Sequence, residues 1–372
     1  MKYFLSITVF TFLLQANVGF AWNSRWVGDA PIRWHSDTNT VGFKIQASSI
    51  PSSSAFRNGI LEAISILNQN PSNIRVRVNP DTEWVSVGNG QNEIWFTDNS
   101  LVTTGAPAIC IAHFNPFAFG VWNLMETDVI FNPAEVYTAS RTHFDTWPYN
   151  GPFRPIQTTA LHELGHAMGM QHENRIYNIM GEDWTHINHS SNSIRATRGP
   201  DIGSGLARLY GGLSPAVVDL SISNFKYLGT NGEYSTHQRT TFRSASTTDP
   251  VEAFTALGTD TQDPNQLIFR VRANQWVTAE FTLENNGLNT VSARTRFVLS
   301  TNRTITTIDR SLFEQRFNFP NNRPSTLTVL LRIPADLPSG SRWYIGAIVD
   351  STNTLIETTK RNNTSYIPIE VR

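Results

Sequence analysis

Between Thr159 and His172 the chain reads T-A-L-H-E-L-G-H-A-M-G-M-Q-H, and no other stretch restricts the surrounding fold so strongly. Leu161, Leu164 and Met168 recur at helical spacing, which predicts a helix from about Ile156 to Met168 with that stripe against a core. His162 and His166, four residues apart, then project from one face within reach of a single ion. Gly169 permits the sharp turn, often at positive φ, that ends the helix and brings His172 back as a third ligand. Three neutral imidazoles leave one position of a tetrahedral ion open, the coordination of a catalytic rather than a structural zinc. Glu163 is offset from the ligand row. It is placed to take a proton from a water on the metal and pass it to a leaving amine.

The segments around this motif read as a mixed α/β unit from Trp22 to about Gly212. Val41–Gln46 alternates like a strand, Phe56, Ile60, Ile64 and Leu67 mark a helix, and Ile74, Val76 and Val78 form a strand with one wet face. Short strand-like runs follow at Glu93–Thr97, Ile109–Phe114 and Asp128–Phe131. A last helix, Asp201–Tyr210, stops at Gly211-Gly212. From Leu213 the pattern changes. Val218–Ser223, Val277–Leu283, Ala293–Ser300, Leu327–Ile333 and Trp343–Val349 are short β-rich runs separated by turn signals, which suggests an all-β sandwich. Ser244–Asp263 reads as a long loop.

The N-terminus has the makings of an export signal: Lys2, an apolar run from Tyr3 to Leu14, and small residues Gly19 and Ala21 at the exit. We expect cleavage after Ala21, giving residues 1–21 as a signal peptide, 22–212 as the catalytic unit and 213–372 as the sandwich, secreted and with no membrane span. A net charge of −1 with 16% charged residues supplies no footprint for nucleic acid. Cys110 is the one cysteine, so no internal disulfide can form, and a buried inert thiol is its default reading.

The five fixed positions of H-E-x-x-H-x-x-G-x-x-H resemble those of the metzincin zinc peptidases, and the flanks resemble the matrixin branch and its bacterial relatives. That resemblance implies an α+β fold: a metzincin-like catalytic domain, with a twisted mixed sheet and an active-site helix, followed by an immunoglobulin-like sandwich. It implies a secreted metalloendopeptidase that cuts protein or peptide substrates with one Zn2+. It places Met180, in Y-N-I-M-G, at the Met-turn beneath the metal. Ile111, Ala112, His113 and Phe114 fall on the edge strand against which such enzymes align substrate. Gly199–Gly211 is similar to the family's C-terminal helix, and Glu126–Asn132 to one of its strands. His113 and His143 are similar to ligands of a second, structural Zn2+, and Asp145 to a Ca2+ ligand, although the upstream H-x-D is missing. No tyrosine stands two residues after Met180 to act as a further ligand, and without a cysteine-bearing propeptide no thiolate latency is expected.

In the second half, Val218-Asp219-Leu220, L-E-N-N-G at Leu283–Gly287, I-P-A-D-L-P-S-G at Ile333–Gly340 and E-T-T-K-R-N-N from Glu357 resemble the bacterial cell-adhesion-related (CARDB) domain, an immunoglobulin-like sandwich. A tether to a cell surface or matrix is the partner this implies, and the chemistry is expected to sit wholly in residues 22–212. Two other readings are weighed: an adhesive or binding protein whose metalloprotease domain is only a scaffold, and a metal-dependent hydrolase of non-peptide amides. The intact five-position motif disfavours the first, and the peptide-pairing edge strand disfavours the second.

Overall fold

A computed structural model describes residues 24, 26–27, 30–116, 122–142, 145–247, 249–255 and 266–372. The expected signal peptide and His143 lie outside the described residues, as does much of the expected Ser244–Asp263 loop.

In the first half, strands β1 (Trp26–Val27), β2 (Ala30–Arg33), β3 (Thr40–Ile45), β4 (Arg75–Val78), β5 (Glu93–Phe96), β6 (Ala108–Pro116) and β7 (Trp122–Phe131) form one sheet. Its central pairs are parallel: β3 lies between β4 and β5, and β7 pairs with both β5 and β2. β6 runs antiparallel to β7 and has no second strand partner among the described residues. The crossover from β3 to β4 is helix α1 (Ala55–Leu67), whose N-terminus is capped by Ser54 accepting from the Phe56 N–H. Helix α2 (Ser100–Thr103) is a single turn.

Helix α3 (Ile156–Ala167) is buried along its whole length, against α1 and the sheet. Ahead of it, β8 (Tyr137–Thr138) and β9 (Arg154–Pro155) pair. Behind it come the hairpin β10 (Ile187–Ser190) with β11 (Ser193–Ala196), and helix α4 (Gly199–Tyr210). Ile45, Phe43, Ile60, Leu161, Leu164 and Leu206 are among the residues of the core that these elements share.

The second half is two sheets. One holds β12 (Leu220–Ser223), β15 (Phe242–Ser244), β18 (Trp276–Asn285) and β21 (Ser325–Arg332). The other holds β16 (Ala253–Thr255), β17 (Leu267–Val271), β19 (Val291–Ser300), β20 (Arg310–Phe319), β22 (Arg342–Val349) and β23 (Thr364–Val371). Val277, Ala279, Phe281 and Leu283 alternate along β18 and share a core with Phe297, Leu299, Ile345 and Ala347 of the other sheet. A separate hairpin, β13 (Phe225–Asn231) and β14 (Tyr234–Arg239), leaves the sandwich and lies on the first half.

The expected α+β class needs correction. The chain is mostly β, 43% strand, and among the described residues only three helices exceed one turn. The sandwich is all strand, and even in the first half the β4–β5 connection is loop rather than helix. The fold-level expectation of a helix-bearing, metzincin-like catalytic domain is withdrawn with it, since this mostly β architecture does not identify one.

Candidate metal centre

Helix α3 carries His162, Glu163 and His166 and ends where the sequence predicts. The Gly169 N–H reaches the His166 carbonyl and the Met170 N–H reaches that of Gly165, a Schellman closure. Gly169 sits at φ +92, and a β-carbon there would also come 2.7 Å from the Ile32 carbonyl oxygen. The last carbonyls of the helix are taken up from outside: Trp34 Nε1 donates to Ala167, and the Tyr210 hydroxyl donates to Met168.

The returning chain brings three imidazoles together. His166 Nε2 lies 3.1 Å from His162 Nε2 and 3.1 Å from His172 Nε2. Two nitrogens held by one zinc at tetrahedral angles lie about 3.3 Å apart, so the spacing fits a shared ion. The opposite ring nitrogens face oxygens. His162 Nδ1 is 2.7 Å from the Ile179 carbonyl, His166 Nδ1 is 2.9 Å from that of Met170, and His172 Nδ1 is 3.3 Å from a Glu233 carboxylate oxygen. Acceptors at Nδ1 favour the tautomer whose Nε2 lone pair points at the common centre. Burial pushes the His162 imidazolium down to about 4, outweighing the nearby Asp183, so this ring is a neutral ligand at neutral pH. Among the described residues, these three histidines are the group able to hold a metal ion.

Met180, the expected Met-turn residue, is fully buried, its sulfur packed so close against α3 that a β-carbon at Gly165 would come 2.5 Å from it. The Met180 N–H donates to Asp201 in the first turn of α4. Gly181 follows, and a β-carbon there would come 1.6 Å from the Ser235 hydroxyl and 2.8 Å from the Glu173 carbonyl oxygen. The chain at Met180-Gly181 is thus held both by α4 and by the β13–β14 hairpin.

A cleft of about 920 Å³ opens over the rings. Glu163, Arg154, Asp183 and Trp184 line it, together with Ala108–Cys110 of β6 and, across from them, Glu233–Thr236 of β14 and its turn. Arg154 pairs with Asp183, which also accepts from the Thr159 hydroxyl at 2.5 Å. The carboxylate of Asp183 is held below its usual range: burial would raise it, and the Arg154 charge, the neighbouring His162 and the hydrogen bonds from Thr159 and Arg154 together more than reverse that.

Several expected positions fall elsewhere. Ile111, Ala112, His113 and Phe114 lie on β6 as expected of an edge strand, but the cleft is lined by the residues just before them, Ala108–Cys110. Cys110 is half-buried at the cleft wall, not sealed in the core. His113 is exposed and Asp145 accepts from Thr142, and neither joins a cluster of metal-ligating residues among the described ones. Sequence reasoning missed Arg154, Asp183, Glu233 and Tyr234. The Asn231-Gly232 pair is a hairpin signal that announces the last two, but nothing in the linear order says where that hairpin docks.

No family model matches the sequence, and no curated protein matches it. Among solved structures, the chain is similar to the CARDB domain of a Pyrococcus furiosus protein, crystallised in complex with di-metal ions. The identity is 20%, over 28% of this chain and 79% of that one, with a TM-score of 0.23. A solution structure of the same domain is 15% identical over 42% of this chain and 95% of that one, with a TM-score of 0.25. TM-scores this low carry no assignment of fold or function for this chain.

Proposed function

We propose that the chain is a zinc-dependent endopeptidase, exported from the cell, that cuts protein or peptide substrates in the cleft above His162, His166 and His172. The observation that carries this reading is the convergence of three imidazole Nε2 atoms beside Glu163, with each Nδ1 facing an oxygen. The motif's resemblance to the metzincins supports it at the level of these residues, and export rests on the Lys2–Ala21 segment.

A bound zinc ion would supply a Lewis acid that polarises the scissile carbonyl and acidifies the attacking water. The chain's own residues do the rest. Glu163 takes the proton from that water as its oxygen attacks the carbonyl carbon, then gives it to the amine nitrogen as the C–N bond breaks. β6, which has no second strand partner among the described residues, offers its backbone to an extended peptide as a further strand. Met180, buried against Gly165 of α3, helps to hold the helix that carries His162 and His166.

The purified protein should carry close to one zinc per chain, and chelation by phenanthroline should abolish peptide cleavage. His166→Ala should lose the metal, because two imidazoles retain little of the binding free energy of three. Stoichiometric zinc in that variant, measured by atomic absorption, would overturn the ligand assignment.

A further inference from the structure

We infer that Glu233, at the tip of the β13–β14 hairpin, is a positioning residue for the metal site, so that the second half of the chain completes a centre whose ligands all lie in the first. The inference rests on the three-histidine reading above.

The three ligands are not equally supported. His162 and His166 stand on a buried helix, and their Nδ1 atoms face backbone carbonyls of the same half, which no substitution removes. His172 stands on the loop after the helix, with its side chain 18% exposed. Its Nδ1 faces the Glu233 carboxylate at 3.3 Å, and its ring lies against Tyr234 with centroids 4.3 Å apart and planes at 40°. Both contacts come from the hairpin. A carboxylate behind a ligating imidazole fixes ring orientation and raises its basicity, and a stacked aromatic limits ring rotation.

The hairpin is seated firmly enough to do this. Asn174 Nδ2 donates to the Gly232 carbonyl, while the Tyr227 and Thr230 hydroxyls donate to the Asn174 carbonyl at 3.1 and 2.8 Å. On the other strand, the His237 N–H donates to Glu182 at 2.6 Å and its ring meets the Thr185 hydroxyl at 2.9 Å. These anchors lie on either side of Met180 in sequence. Glu233 itself is 67% exposed, so its effect belongs at the modest end of what such partners contribute.

The test uses the full chain and zinc itself, in competition with a chromogenic chelator. Glu233→Ala should bind zinc about tenfold more weakly than the wild type, with the fold unchanged by circular dichroism. Glu233→Gln, which keeps an oxygen in place, should recover most of that loss. Peptide cleavage by Glu233→Ala should need a higher zinc concentration for half-maximal rate than the wild type, a shift that a residue with a merely structural role would not show. If Glu233→Ala binds zinc as tightly as the wild type while His166→Ala does not bind it, Glu233 does not position His172 and the inference is wrong. If His166→Ala also binds as tightly as the wild type, the three-histidine reading falls first and takes this inference with it.

Discussion

At the scale of the residue, the three histidines are legible in the sequence because everything that gathers them is local. An i, i+4 pair on a helix and a glycine that ends it need no knowledge of the rest of the fold. Glu233 was not legible, since its place behind His172 depends on the docking of a distant hairpin. Gly181 shows the same dependence. Its neighbour Met180 could be picked out by its position after the motif, yet the reason for a glycine lies in Ser235, in the other half of the chain. Gly181→Ala should therefore destabilise the protein by about 1–3 kcal/mol, the usual cost of overpacking. Ser235→Gly in the same chain should recover part of that cost in a double-mutant cycle of urea unfolding. The recovery should be incomplete, because the Glu173 carbonyl still stands 2.8 Å from the added carbon. Full additivity of the two substitutions would show that the hairpin does not pack on this glycine.

At the scale of the element, apolar periodicity marked the strands and helices that bury one face. α1, α3, β18, β19 and β22 all lie where that pattern predicts, with ends differing by a few residues. Elements without such a stripe were missed. β13 and β14, F-K-Y-L-G-T-N and Y-S-T-H-Q-R, mix polar and aromatic residues: Phe225 and Tyr227 join a small core with Tyr149, Tyr177, Ile187 and Ile194, while other side chains of the hairpin make polar contacts with the first half, so no apolar stripe runs along either strand. β10 and β11 are four residues each, and Ile187 and Ile194, which join that same small core, are too few to show a period. Asn188 of β10 donates from its side chain to the carbonyls of Ile222, Asn362 and Thr364, and the Tyr366 hydroxyl donates to Ser191 in the turn. Because the uncounted elements are strands, the class was misjudged as α+β in a chain that is mostly β.

At the scale of the whole molecule, the two halves meet across a seam of buried polar groups, and this weakens the expectation that residues 22–212 carry the chemistry unaided. Arg198 pairs with Asp219 at 3.2 Å, and His186 Nε2 lies 2.8 Å from Glu284, whose other oxygen accepts from Ser221. Residues noted in the sequence as separate motifs gather here: Asp219 also accepts from Asn286 and Asn362. Such a seam should respond to pH. Burial alone would lower the His186 imidazolium, but the charge and hydrogen bond of Glu284, with Asp201 and the Thr197 carbonyl, together more than reverse this and raise it above its ordinary 6.5. The folded chain therefore keeps a proton that the unfolded chain releases, and that stabilisation, complete below about pH 6.5, is lost as pH rises through the folded value. Asp201, pushed up to about 7 by burial from an ordinary 3.8, adds a loss of the same sign as pH rises from about 4 to 7. Stability to urea should fall as pH rises above about 6.5. Glu284→Gln should be less stable at pH 6 by on the order of 3 kcal/mol and show a flatter slope. An unchanged slope would remove His186 as its source.

The proposed chemistry itself turns on Glu163, and the most direct measurement is cleavage of an unstructured peptide by zinc-loaded full-length protein, beside Glu163→Gln, with products located by mass spectrometry. Glu163→Gln removes the base and leaves every ligand in place. The account predicts internal cuts by the wild type, and a variant that retains its zinc but turns over slower by several orders of magnitude. A zinc-loaded wild type that cuts no peptide in a broad library, or a variant that cuts as fast as the wild type, would contradict it.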